Sequence, residues 1–145
     1  MLFMAVEDER QARELPIVES LRLLGTARFG RVVFARYALP TLRPVNHIVD
    51  GGCVVIRAHL GTGFSADRQV VAYEADMIDH ETLLGWCVIV TGLTEAVTDA
   101  AELERYRRLL PLGISGAQAR IFRIEPDIVT GISYVADRRA SAGRG

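Results

Sequence analysis

In the segment RAHLGTGFS (57–65), Arg57 precedes two glycines, Gly61 and Gly63, and two hydroxyl residues, Thr62 and Ser65. Glycines let a backbone approach a ligand closely, hydroxyls and main-chain N–H groups donate hydrogen bonds, and a guanidinium presents a fixed fork of donors. Together these groups can hold an anion such as a phosphate. A following turn at Ser65-Ala66-Asp67-Arg68 would point further N–H groups at the same place. Taken alone, the residues equally describe a surface turn beside an exposed arginine, and both readings stand at this level.

Other chemistries find less support. His47, His59 and His80 lack the short-spaced ligand sets of zinc sites and read as solvated or satisfied histidines, with a lone axial haem ligand left open. The acidic stretch Glu74, Asp76, Asp79 and Glu81 lacks the spacing of a calcium loop and reads as a solvated strand face. No serine or cysteine nucleophile has a histidine partner in a recognisable arrangement. All seventeen basic residues are arginine. Codon usage is the ordinary explanation, but Schiff-base and phosphate-binding lysines are excluded all the same.

The elements that must position the loop are mostly strands. Pro16 opens a helix with Ile17, Leu21 and Leu24 on one face and Gly25 as its stop, after a charged, loosely held segment 1–14. GRVVFARYAL reads as a strand ended by Pro40, and Val45, Ile48 and Val49 lead into the Asp50-Gly51-Gly52 turn and out through Val54, Val55 and Ile56. In VVAYEADMID, Val71, Tyr73 and Ala75 alternate with Ala72, Glu74 and Asp76. WCVIVTGLTEAV is a long strand bent at Gly92, and Asp99 with Glu102 marks a capped helix whose inward face is Leu103, Tyr106 and Leu110. The last strands run ARIFRIEPDIVTGISYV with an interruption at 125–127, and 137–145 is a polar tail. Short successive strands with two helices predict a mainly β domain over 15–136, a small antiparallel barrel.

With 145 residues, half of them hydrophobic, and a formal net charge of -1, the chain suits one packed domain and offers no global field for nucleic acid or anionic membranes. Cys53 and Cys87 are expected reduced and buried. The N-terminus turns acidic before a signal-like apolar region develops, and no apolar run is long enough to span a membrane, so a soluble cytoplasmic protein is expected.

The helix followed by GRVVF, then PVNHIVDGGCVVIR, GTGFS, VAYEADMID, GWCVIVTG and RIEPDIVTG, in that order over about 17–134, resembles the pyridoxamine 5'-phosphate oxidase-like FMN-binding split barrels, in their compact actinobacterial flavin-nucleotide-binding branch. The resemblance implies a six-stranded antiparallel split β-barrel that forms a homodimer, with FMN in clefts at the dimer interface. By matching position it implies that Arg43, Pro44, Val45 and Asn46 line the flavin, that Ile56 and Arg57 lie on the adjoining strand, and that Thr62, Gly63, Phe64 and Ser65 form the phosphate loop. Trp86 and Cys87 fall on the strand approaching the ring from the other part of the cleft. Many relatives end the loop with a lysine, where this chain has Phe64, so the charge there falls to Arg57 or another arginine such as Arg68.

The activity implied is two-electron oxidation or reduction of a small organic substrate. A deazaflavin reductase and a non-catalytic flavin- or haem-binding module are the alternatives. Pyridoxamine phosphate oxidation itself is not expected in so short a chain.

Overall fold

The glycine pair Gly51-Gly52 makes a two-residue connection between strands. Both have positive φ, 56° and 81°, the conformation a two-residue hairpin needs. They join β3 (Leu39–Asp50) to β4 (Cys53–Ala58), with Asp50 opposite Cys53. The computed structural model describes residues 10–59, 67–110, 113–115 and 119–136. In addition to that hairpin it contains β1 (Arg10–Leu15), β2 (Phe29–Arg36), β5 (Asp67–Ile78), β6 (Gly85–Ala96) and β7 (Arg120–Ala136), with helices α1 (Ile17–Thr26) and α2 (Ala100–Leu109).

Six strands close into an antiparallel ring in the order β2, β3, β4, β7, β6, β5, and Arg31–Val33 pairs with Ala72–Glu74 to shut it. This is the split barrel expected from the sequence. Inward residues alternate with outward ones along each strand: Val32 and Phe34, Val54 and Ile56, Val71 and Tyr73, and Val88 and Val90 fill the interior. Gly92 marks the expected bend, because the β6–β7 register shifts there and Asp127 is left as the extra residue between Pro126 and Ile128.

Three local expectations change. Residues 10–15 are not loose but form β1, which pairs with the far half of β7 from Leu15 opposite Gly131 to Arg10 opposite Ala136. The sequence RQAREL carries no apolar alternation, since β1 is an edge strand with little buried surface. The strand after Gly30 turns at Tyr37-Ala38, both at positive φ, rather than at Pro40, which instead pairs with Ala35 near the start of β3. Helix α1 buries Leu24 and Ser20 while Ile17 is 58 % exposed, so its inward face lies one step round from the expected one.

Helix α2 begins as the sequence indicates, with the Asp99 carboxylate accepting the Glu102 N–H at 3.0 Å. Tyr106 and Leu110 pack on Val55 and Ile121, covering the outer face of β4 and β7. Its seat is fixed by polar contacts to the hairpin turn. Arg105 holds both Asp50 oxygens at 2.7 and 3.1 Å, the Tyr106 hydroxyl donates to the same carboxylate at 2.7 Å, and Arg123 bridges Tyr106 and Glu102.

Candidate functional site

Asn46 and Arg57 stand opposite each other on adjacent strands. Because Val45 and Ile56 turn their side chains into the barrel core, strand alternation sends Asn46 and Arg57 outward, under α2 and the turn that follows it. Arg57 Nη1 donates to the Leu110 carbonyl at the end of α2, at 3.3 Å. The Asn46 carboxamide, 7 % exposed, accepts the Ile114 N–H at 3.0 Å and donates to the Arg28 carbonyl at 3.4 Å. Gly113 makes that approach possible: its φ is +48°, and a Cβ there would lie 2.0 Å from Asn46 Oδ1.

Two hollows flank this pair. On the Arg57 side a cavity of about 340 Å³ lies between α2, β4 and β7, with Thr98, Arg107 and Arg120 also in its wall. On the other side Phe29, the β2 partner of Asn46, borders a groove of about 830 Å³ between the α1–β2 corner and the β5–β6 hairpin. The groove mixes apolar Phe29, Met77, Ile78 and Leu84 with Arg31 and Asp76. The strand pair β3–β4, which carries Asn46 and Arg57, thus stands between a basic cavity and a larger, mainly apolar groove, while Asn46 itself lines neither hollow.

The remaining sequence candidates are dispersed. Arg43 and Pro44 are exposed on β3, with Arg43 Nη1 donating to the Leu42 carbonyl at 3.0 Å. Thr62, Gly63, Phe64 and Ser65 lie outside the described residues. Trp86 and Cys87 sit on β6, separated from β3 in the ring by β2 and β5. Trp86 packs against the barrel core, and the Cys87 thiol is 3.7 Å from Glu74 Oε2. Arg68 lines a different hollow, with Glu95 and Glu125, and does not join Arg57.

The Cys87 face is acidic. Arg31 reaches Glu74 at 3.3 Å and Asp76 at 3.6 Å. Burial, with Asp76 alongside, raises the Glu74 pKa against the pull of Arg31. Burial first and Glu74 next push the Cys87 thiol up to about 11, so it stays protonated at neutral pH and is no nucleophile. The acidic stretch is therefore not uniformly solvated as expected: Glu74 and Asp76 are half-buried and paired, whereas Asp79 serves a turn by accepting the Glu81 and Thr82 N–H groups.

His47 is satisfied inside the fold. Its Nε2 lies 2.7 Å from the Leu24 carbonyl, which can only accept, so Nε2 carries the proton and Nδ1 accepts from the Tyr73 hydroxyl. Burial lowers the His47 pKa and raises that of Tyr73. Sequence reasoning missed this pair, and it missed Arg107 beside Arg57, because only the strand order brings them together.

Comparison with known proteins gives the fold and site a context. The family model for pyridoxamine 5'-phosphate oxidase matches residues 18–133. An uncharacterized protein of Mycobacterium tuberculosis is 46 % identical over 140 residues, covering 92 % of each chain. Among solved structures, the FAD binding protein of Mycobacterium smegmatis is 28 % identical with a TM-score of 0.66, over 85 % of this chain and all (100 %) of that one. A conserved protein of unknown function from Corynebacterium diphtheriae is 27 % identical with a TM-score of 0.68, over 86 % and 98 % of the two chains. With most of its length matched by the model, and its barrel shared with those structures, the chain belongs to the pyridoxamine 5'-phosphate oxidase family.

Proposed function

We propose that this protein is a homodimeric flavoprotein that binds FMN at the Asn46–Arg57 wall and catalyses a two-electron redox step on a small organic substrate. The carrying observation is the placement of that wall: a basic cavity on one side and a mainly apolar groove on the other, about two strand spacings, or roughly 10 Å, apart. A flavin nucleotide has the same order of chemistry, a charged phosphate joined by a polyol to a flat apolar ring. The groove volume lies in the range of roughly 300–1,000 Å³ usual for small-molecule sites. The FAD binding relative from Mycobacterium smegmatis supports the choice of ligand class.

When bound, the flavin supplies the acceptor or donor of the electron pair. The chain's own residues bind and orient. Arg57 gives the phosphate a charged donor from a part-buried position, held in line by the Leu110 carbonyl. Phe29 and Met77 offer apolar surface to the ring, and Arg31, shared by Glu74 and Asp76, fixes the charge at the groove edge.

The dimer is supported by the uncovered outer face of β2, β5 and β6, on which a second protomer would sit; Trp86, opposite Met77, and Cys87, opposite Asp76, already flank the groove within one chain. Exposed Phe29, Val70 and Ile89 on this face are apolar surface such a partner would cover.

The test is a visible absorption spectrum after incubation with FMN, FAD, a deazaflavin or haem, followed by desalting. Retained flavin bands together with turnover of a reduced pyridine nucleotide support the reading. Flavin bands with no turnover by any donor leave a binding module, and retention of no flavin overturns the reading.

A further inference from the structure

The end of α1 and the corner after it are tied to the barrel by two neighbouring residues of β3. His47 donates its backbone N–H to the Arg28 carbonyl at 3.1 Å and its Nε2 proton to the Leu24 carbonyl at 2.7 Å. The Asn46 carboxamide reaches the same Arg28 carbonyl at 3.4 Å. The segment held in this way, Thr26 to Phe29, forms one wall of the groove of about 830 Å³. The edge of the groove therefore depends on an ionisable side chain that is 3 % exposed and does not line it.

The neutral imidazole is satisfied at both nitrogens, because Nδ1 accepts the Tyr73 hydroxyl. A proton on Nδ1 makes it a second donor, so the hydroxyl has to turn its own proton to the Val45 carbonyl, its longer contact at 3.4 Å. Room for adjustment is small, since a Cβ at Gly30 would lie 2.6 Å from the Tyr73 hydroxyl oxygen. Among the described residues no carboxylate meets the ring to offset a charge. Helix α1 presents the Leu24 carbonyl and β5 the Tyr73 hydroxyl, while β4 places apolar Ile56 opposite. Arg31 of β2 and Glu74 of β5 point to the outer face, where they pair with each other. Burial accordingly lowers the His47 pKa. A histidine depressed in this way stabilises the fold above its ordinary 6.5, and that contribution is lost as pH falls below it.

We propose that His47 and Tyr73 form an acid-sensitive latch: on taking up a proton from solvent at Nδ1, His47 lets go of the Leu24–Arg28 corner, and affinity for the flavin falls. This rests on the flavin-binding reading for its ligand, whereas the latch belongs to the chain alone. The charged ring regains hydration only by leaving its buried seat, which breaks the Leu24 bond and loosens the neighbouring ties to Arg28. Phe29, next in the chain, then loses its fixed place in the groove wall.

The experiment measures FMN and riboflavin affinities by flavin fluorescence from about pH 7.5 to about pH 5, the span across which a depressed histidine takes up charge. Hydrogen exchange of the His47 amide is followed alongside in the flavin-free protein. Wild-type affinity should fall by up to about tenfold per pH unit below the midpoint, the limit for one linked proton. His47 exchange, corrected for its intrinsic pH dependence, should quicken over the same range, while the Val97 amide, donated to Ile121, should not. His47→Gln keeps a donor for Leu24 without titrating. With FMN it should retain only the shallower fall that the phosphate, ionising at about pH 6, produces, and with riboflavin no fall. His80→Gln should keep the wild-type response, although His80 lies in the groove wall. The wild-type His47 titration seen by NMR should share the affinity midpoint, which decides the matter where the variant does not fold. Equal falls in wild type and His47→Gln, a response abolished by His80→Gln, unmatched midpoints, or His47 exchange insensitive to pH would overturn the latch while leaving flavin binding intact. Failure to bind either flavin at any pH would overturn the underlying reading and the affinity claim with it.

Discussion

The two outer faces of the barrel are built from the same alternating strands yet solve opposite problems. The β3–β4–β7 face is covered by the chain itself, since α2 and its following turn satisfy it with Tyr106, Asp50, Arg105 and Asn46. The β2–β5–β6 face has no cover among the described residues. It exposes Phe29, Val70 and Ile89, and places Glu74 and Asp76 side by side under one arginine. A covered face can be made polar and specific at the cost of a helix and its anchors. An uncovered one combines exposed apolar side chains with a partly desolvated carboxylate pair.

Removing the cover should have the largest effect. Tyr106 is 1 % exposed and carries both apolar packing and the contact to Asp50. Tyr106→Ala is therefore expected to cost about 3–5 kcal/mol, as for other buried aromatic truncations, in urea unfolding. A loss below about 1 kcal/mol would mean that α2 is not anchored there. Gly113→Ala sharpens the same point at smaller cost. It combines a strained φ with a Cβ against Asn46, and about 1–3 kcal/mol is expected, with flavin affinity falling because the wall between the two hollows shifts.

The next test uses pH. Asp50 is held at about 2 by the hydrogen bonds from Arg105 and Tyr106, below its ordinary 3.8. A depressed carboxylate pKa stabilises the fold above the unfolded value, and that contribution is lost as pH falls from about 4 to about 2. The pair is largely solvent-screened, so the effect is discounted to about 1 kcal/mol. Asp50→Asn should lower stability at pH 7 by about that amount and flatten the acid limb between those values. An unchanged limb would remove Asp50 from the anchor.

The smallest effect on protomer stability, and the most informative for the open face, belongs to Ile89→Arg. At 39 % exposed, Ile89 can accept a charge at about 0.5 kcal/mol or less. If a second copy covers this face, sedimentation should show the variant as a monomer where the wild type is a dimer, with flavin affinity reduced together with assembly. A variant that remains dimeric moves the interface elsewhere.

What could be read from the chain was what depends on near neighbours. The Gly51-Gly52 hairpin, the Asp99 cap of α2, the alternation along β5 and the bend at Gly92 are each decided within a few residues by φ preference, side-chain capping or the two-residue strand period. The proposal that Arg57 meets an anion also starts from a local pattern, a guanidinium followed by glycines and hydroxyls. Edge strand β1 was not legible, because RQAREL buries too little to show a period.

The tertiary structure alone decided which distant residues share a place. Ring closure by β2 and β5 and the pairing of β4 with β7 bring Arg120 beside Ala58. The seat of α2 supplies Arg107, and the barrel interior joins His47 to Tyr73. These contacts span dozens of residues, and their free energy comes from burial and charge in the assembled barrel rather than from any local preference. The sequence by itself therefore determined the strands, the caps and the candidate arginine. Only the closed barrel determined which arginine stands with it and which face is left open.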